Sequence, residues 1–272
     1  MKGLIGRLFF RRSGKEPQRV ALVLSGGGAR AWAHIGLLKA LEEEGIYPEV
    51  VSGVSAGAIV GAMYASGRSA DETLEIVQKT DMFKILRKGL FSFMAGAFSS
   101  LGHLQQQLEV FLPDNSFGSL QRKLFITTVN LNTGRVEIFD SGELHKPIMA
   151  SCAVPLLFAP VKMGEYLYAD GGVLNNLPVE PLLGQGYKII GSNVVSPSLN
   201  MRLDGFRSVS MRSFELVSYK GIEDKAGLCD VMLTYEGLEN YNIFRFAAAR
   251  QIVDLGYKSA RKQMDLLLAK LK

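Results

Sequence analysis

Twice near its start the chain runs from a short apolar segment, through glycines, straight into a helix. That repeated junction constrains the fold more than any other feature. Val20-Ala21-Leu22-Val23-Leu24 is apolar at every position, as a strand covered on both faces must be. It ends in Ser25-Gly26-Gly27-Gly28-Ala29-Arg30, after which Trp32, Ile35, Leu38 and Leu41 recur at helical spacing until Gly45. Glu49-Val50-Val51-Ser52 repeats the strand signal. Gly53-Val54-Ser55-Ala56-Gly57 then turns sharply into an apolar helix from Ala58 to Ala65, stopped by Gly67. Ser69 and Glu72 form a capping box for the next helix.

Further along, strands are expected at Leu124 to Asn130 and Arg135 to Phe139, joined by Asn132-Thr133-Gly134. A short helix is expected over His145 to Cys152. A strand pair follows, Phe158 to Met163 and Tyr166 to Ala169, then strands at Lys188 to Val195 and Val231 to Thr234. The alternation predicts an α/β fold: a mostly parallel central sheet with helices on both faces. Residues 19–272 read as one such domain. Its last helix, basic and starting near 244, carries Gly256 as a weak point. Residues 196–222 give no clear pattern. The apolar stretch from Met82 to Leu101 suits an acyl-chain tunnel, a lid or a buried helix pair equally.

Charge is distributed unevenly. Residues 1–20 and 245–272 each carry net +5, leaving net −5 between them. An acidic middle argues against nucleic acid as a partner. Basic ends suit peripheral contact with an anionic membrane surface, or simply keep the chain soluble. Residues 1–18 read as a basic amphipathic extension, with Leu4, Ile5, Leu8 and Phe9 on one helical face. No apolar run reaches the roughly 18 residues of a membrane span, and no signal peptide is apparent. Cys152 and Cys229 make neither a disulfide framework nor a zinc site, so a cytoplasmic setting is expected.

Gly53-x-Ser55-x-Gly57 has the strand–turn–helix context that gives a nucleophile turn its meaning. Glycine at both flanks avoids collision with nearby backbone and pushes Ser55 outward at a helix start. Gly26, Gly27 and Gly28 leave backbone N–H groups able to converge as an oxyanion hole or a phosphate cradle, with Arg30 adding charge. Gly26-x-Gly28-x-x-Ala31 also fits a dinucleotide fingerprint. That reading needs an acid at the end of the second strand, where Ser52-Gly53 stands instead; Glu49 is at the wrong end.

A serine nucleophile needs a base. The chain has only His34, His103 and His145, none of them after Asp170, so the order Ser–Asp–His cannot be met with Asp170 as the acid. His34 is read as packing beneath the glycine loop. Asp170, followed by Gly171 and Gly172, is the better candidate, since two glycines permit a close backbone approach.

Together these pieces resemble the patatin-like phospholipase family. Gly26-Gly27-Gly28-Ala29-Arg30 with His34-Ile35-Gly36 is similar to its oxyanion-loop motif. Gly53-Val54-Ser55-Ala56-Gly57 is similar to its nucleophile motif, and Asp170-Gly171-Gly172 to its acid motif. Asn176, Pro178 and the segment from Ser151 to Pro160 fit as well, and the likeness spans roughly residues 19–195. Ala31-Trp32 departs from it, and a tryptophan there is expected to crowd the loop. The resemblance implies a three-layer α/β/α fold and a Ser55–Asp170 dyad. It also implies metal- and cofactor-free hydrolysis of lipid acyl esters, of phospholipase A or lysophospholipase type. The alternative is a catalytically silent lipid-binding or scaffold protein of the same fold. Oligomeric state is not legible.

Overall fold

The computed structural model describes residues 18–79, 101–195 and 203–272. The basic extension and nearly all of the apolar stretch from Met82 to Leu101 lie outside them. Eight strands form one sheet: β1 (Val20–Leu24), β2 (Val50–Val54), β3 (Lys123–Asn130), β4 (Arg135–Phe139), β5 (Val161–Met163), β6 (Tyr166–Asp170), β7 (Lys188–Asn193) and β8 (Val231–Thr234). The run β3-β2-β1-β7-β8 is parallel throughout. Strands β4, β6 and β5 add antiparallel pairs at the β3 end. The sheet is therefore mixed and mostly parallel, with helices around it, as expected.

The continuous apolar run of β1 is explained by its two covers. Leu22 and Leu24 face one hydrophobic cluster, and Ala21 and Val23 face another. The larger cluster holds helices α1 (Ala33–Glu43), α2 (Ala56–Ala65) and parts of α4 (Gly102–Phe111) and α7 (Ala249–Lys262). The smaller is closed by residues 177–182 and by Ile222 of α6 (Phe206–Ala226). Helix α2 is buried at all ten positions, as a helix apolar on every side must be. Helix α3 (Ala70–Lys79) starts in the expected capping box: Ser69 N–H donates to Glu72 Oε2, and Glu72 N–H to Ser69 Oγ.

Three departures from expectation have physical causes. The C-terminal segment is not one helix from 244. It is a 3-10 turn at Phe246–Ala248, then α7, then α8 (Met264–Lys270), and the break falls at Gln263. Gly256 is not the weak point; a Cβ there would lie 2.3 Å from the Ala33 carbonyl oxygen, and one on Gly36 2.2 Å from that of Val253. The two glycines let α1 and α7 cross with their backbones almost touching. Finally, α6 spans a region without a readable pattern, because it is apolar on two faces. Met211, Phe214 and Ile222 turn inward or half inward, while Val209, Leu216, Val217 and Phe206, the last 77% exposed, face outward. The remaining short helix, α5 (His145–Ser151), packs beside β3.

Candidate active site

The site forms where one strand hands its place to another. Strand β4 pairs with one edge of β3 from Ile126 to Asn130. On the other edge β2 runs as far as Val54 opposite Thr127, and β6 takes over with Asp170 opposite Thr128. Ser55 follows the last residue of β2, and Asp170 is the last residue of β6. Two strands thus end at adjacent rungs of a third, and their terminal side chains meet across 115 residues of sequence.

Ser55 has φ 55° and ψ −131°, a conformation that a side chain makes costly by roughly 1–3 kcal/mol. The surroundings enforce it. A Cβ on Gly57 would lie 2.6 Å from the carbonyl oxygens of Leu24 and Ser25, and one on Gly53 2.9 Å from that of Gly57. The Ser55 N–H donates to Ser151 Oγ at 2.8 Å, and that hydroxyl donates to the Thr127 carbonyl at 2.7 Å. The turn leaves the serine at the N-terminus of α2, where unpaired amides and the helix dipole favour negative charge.

Asp170 is 1% exposed. Its Oδ1 accepts the Gly172 N–H at 2.7 Å, while Oδ2 has no hydrogen-bond partner among the described residues. Burial pushes its pKa from 3.8 up to about 7; the neighbouring Ser55 hydroxyl and the Gly172 amide pull it back only in part. The carboxyl is poised to gain or lose a proton near neutrality, with Ser55 beside it and one oxygen uncommitted. The serine contact is loose, as is common before substrate tightens a site.

Of the three loop amides, Gly26 N–H is engaged: it donates to Asn176 Oδ1 at 3.0 Å. That narrows the expected oxyanion donors to Gly27 and Gly28, whose amides make no hydrogen bond among the described residues. Ala56, first in α2, also lines the cleft, which the glycine pattern did not flag. Arg30 is committed elsewhere. Its Nε donates to the Tyr241 carbonyl at 2.8 Å, and Nη1 pairs with Glu215 at 3.0 Å, both side chains largely buried. It ties the glycine loop to α6 and to residues 238–246. Trp32 does not crowd the loop; it is fully buried and edge-on to Phe246, with ring centroids 5.8 Å apart.

None of the three histidines lines the cleft. His34 Nε2 faces the Ser25 carbonyl at 2.9 Å and so carries the proton; Nδ1 accepts from Ser192 Oγ at 2.8 Å. Burial drives its pKa down to about 4, so it stays neutral beneath the loop. His145 Nε2 is held by the Leu112 carbonyl at 2.7 Å. Cys152 does line the cleft, but burial pushes its thiol pKa well up, so it remains protonated. Among the described residues no group of three potential metal ligands gathers.

Glycines 26–28, Ser55, Asp170 and Asn176 share the floor of one cleft that encloses about 950 Å³, part of it open to solvent. The rest of its lining is mainly apolar, from Ile59, Leu101 and Leu104 and from Met211, Phe214, Ile243, Phe244 and Phe246, with Arg30, Glu215 and Ser218 as polar members. The second group comes from residues that had no readable role in the sequence.

The fold is a mixed, mostly parallel α/β sheet with a strained serine and a buried carboxyl at adjacent strand ends beside a mainly apolar cleft. The comparisons narrow that description. The family model described as patatin-like phospholipase matches residues 22–183, and the chain belongs to that family. Over 183 residues it is 32% identical to an uncharacterized protein of Acanthamoeba polyphaga mimivirus, covering 60% of this chain and 61% of that one. Over 177 residues it is 31% identical to patatin-like phospholipase domain-containing protein 6 of Mus musculus, covering 63% of this chain and 13% of that one. The matched stretch is thus under two thirds of either relative. VipD from Legionella pneumophila shares the fold at TM-score 0.55 and 17% identity, over 92% of this chain and 67% of that one. Human GIVD cytosolic phospholipase A2 does so at TM-score 0.51 and 12% identity, over 98% and 61%.

Proposed function

We propose that the chain hydrolyses acyl esters of lipids, with Ser55 as nucleophile and Asp170 as general base. The observation that carries this reading is the meeting of those two side chains at adjacent strand ends on the floor of an apolar cleft. Membership of the patatin-like phospholipase family supports the lipid class of substrate.

In the first step the Ser55 oxygen bonds to the ester carbonyl carbon and its proton passes to Asp170 Oδ2. The carbonyl electron pair moves onto oxygen, facing the Gly27 and Gly28 amides. Collapse expels the alcohol, which recovers the proton and leaves an acyl-serine. Water, deprotonated by Asp170, then bonds to the acyl carbon; the Ser55 oxygen leaves, takes the proton back from Asp170, and the fatty acid is released. Each loop donor is worth ~10²–10³ in rate and the base ~10²–10⁴. The supporting residues act separately. Gly53 and Gly57 shape the nucleophile turn, Gly171 and Gly172 the acid turn, and Arg30 braces the loop. A Cβ on Gly171 would lie 2.4 Å from the Thr127 carbonyl oxygen, so the acid turn is pressed directly against β3.

No cofactor is invoked and no metal is assigned a step, so activity is expected to be indifferent to EDTA; strong inhibition by the chelator would point to metal chemistry. The proposal covers both the phospholipase A and lysophospholipase types, and residues 19–272 are proposed to act as one domain. No helix among the described residues is long and apolar enough to cross a membrane. We place the protein in the cytoplasm, meeting lipid by peripheral contact. The apolar face of α6, exposed among the described residues, and the basic ends support that contact.

A fluorophosphonate probe tests the reading directly. Covalent labelling located at Ser55 by mass spectrometry, with release of fatty acid from phospholipid or lysophospholipid vesicles, is the expected result. No labelling and no release would favour a silent lipid-binding protein of the same fold.

A further inference from the structure

We infer that Asn176 is a catalytic residue whose side-chain N–H group donates to the reacting carbonyl oxygen. The inference rests on the reading of Ser55 and Asp170 as nucleophile and base, and deepens it.

The Gly26 N–H can only face an acceptor. Its 3.0 Å contact therefore fixes which arm of the Asn176 carboxamide is the oxygen. The other arm, Nδ2, is left with two donors and makes no hydrogen bond among the described residues. Asn176 is nonetheless only 4% exposed, and what it exposes lines the cleft. A nearly buried donor without a partner is uncommon, and a ligand is one thing that satisfies it.

Its position is set by two glycines. A Cβ on Gly26 would lie 2.7 Å from Asn176 Oδ1 and 2.9 Å from Ser55 Cβ. One on Gly172 would lie 3.0 Å from Asp170 Oδ1 and 3.1 Å from Asn176 Oδ1. The carboxamide thus sits beside both reacting groups, held by the one loop amide that is not free. As Ser55 attacks, negative charge grows on the carbonyl oxygen, and a fixed N–H aimed there gains strength at no cost of reorganisation. Asn176 replaces at this spot the donor that Gly26 gives up to hold it.

The test uses the full chain with a soluble short-chain ester, measured across pH. Asn176→Asp keeps an acceptor for the Gly26 N–H and removes the donor; Asn176→Ala removes both. The high-pH plateau of kcat is expected to fall ~10²–10³-fold in Asn176→Asp with KM little changed. The Ki of an alkyl trifluoromethyl ketone, which adds the serine oxygen to give an anionic hemiketal, should rise by a similar factor. A plateau within about threefold of wild type overturns the assignment, even if the inflection moves because a second carboxylate sits near Asp170. So does a lowered plateau with unchanged ketone affinity, which marks a positioning role. Should Asn176→Asp not fold by circular dichroism, Asn176→Ala is read by the same two criteria. Ser55→Ala runs in parallel. If it stays active, the nucleophile reading itself fails; if it is silent while the Asn176 variants turn over normally, only Asn176 is misassigned.

Discussion

The floor and the far wall of the cleft are built in opposite ways. On the floor, short motifs place polar atoms by named hydrogen bonds: Gly26 to Asn176, Ser55 to Ser151, Asp170 to Gly172. The far wall, from Met211 through Phe214 to Phe244 and Phe246, contributes mainly apolar surface. The floor falls inside residues 22–183, the span of the family model, and the far wall falls outside it. The proposed chemistry rests on short local patterns. The apolar wall needs only bulk and greasiness, which many sequences supply. Among the described residues three links join the two: Arg30 reaches from the glycine loop to Glu215 on α6 and to the Tyr241 carbonyl, the Ala29 N–H donates to the Ile243 carbonyl, and Ser218 of α6 donates to the Gly172 carbonyl.

If that division holds, substitutions on the floor should abolish turnover and those on the wall should only tune it. Ser55→Ala is expected to have the largest effect, removing ester hydrolysis to the limit of detection while the thermal midpoint stays unchanged or rises. Retained turnover would break the comparison outright, since the floor would then not be where the chemistry happens.

Asp170→Asn should cost ~10²–10⁴ in kcat through loss of the base. It should also stabilise the fold. Burial raises the folded-state pKa from 3.8 to about 7, so the folded chain holds its proton more tightly than the unfolded chain. The stability this adds is fully present below about pH 4 and is lost as pH rises through 7. At pH 8 the buried charge costs up to about 4 kcal/mol, at roughly 1.4 kcal/mol for each tenfold change in proton affinity. The asparagine variant escapes that cost, and urea unfolding at pH 8 and pH 5 should show its advantage shrinking at the lower pH. In the wild type, kcat/KM should rise with pH and level off above about 7. An inflection near pH 4 would mean that the carboxyl is solvated in the free enzyme.

Phe214→Ala should have the smallest effect and sharpen the comparison most. On a short-chain ester, turnover should stay within a few-fold of wild type. On long-chain esters kcat/KM should fall about 10–100-fold, in line with roughly 1–3 kcal/mol of lost apolar contact. Equal losses on both substrates would show that the wall takes part in chemistry after all.

Much of the floor was legible in the sequence because its signals are local. A strand ending in glycines before a helix has few ways to fold, and Ser55 between Gly53 and Gly57 must stand proud of its turn. The capping box at Ser69, the hairpin at Gly134 and the strand pair around Gly164 depend likewise on neighbours within a few residues. Helix α6 was not legible. Its outward Phe206, Val209, Leu216 and Val217 blur the stripe that Met211, Phe214 and Ile222 would otherwise draw. Gly256, which weakens a helix in isolation, is where α7 presses on α1, a fact held by the partner helix alone.

By itself the sequence determined the local geometry: which segments are strands, and where the serine and acid turns lie. Tertiary structure decided what those turns meet. The pairing of β2 and β6 with successive rungs of β3 brings Ser55 to Asp170, and the packing of the glycine loop against residues 172–176 and α6 turns Gly26 toward Asn176 and commits Arg30 to Glu215. The reason is range. Backbone conformation is set by residues a few positions apart, whereas a contact across 115 positions or a hydrogen bond across 150 exists only once the sheet has formed.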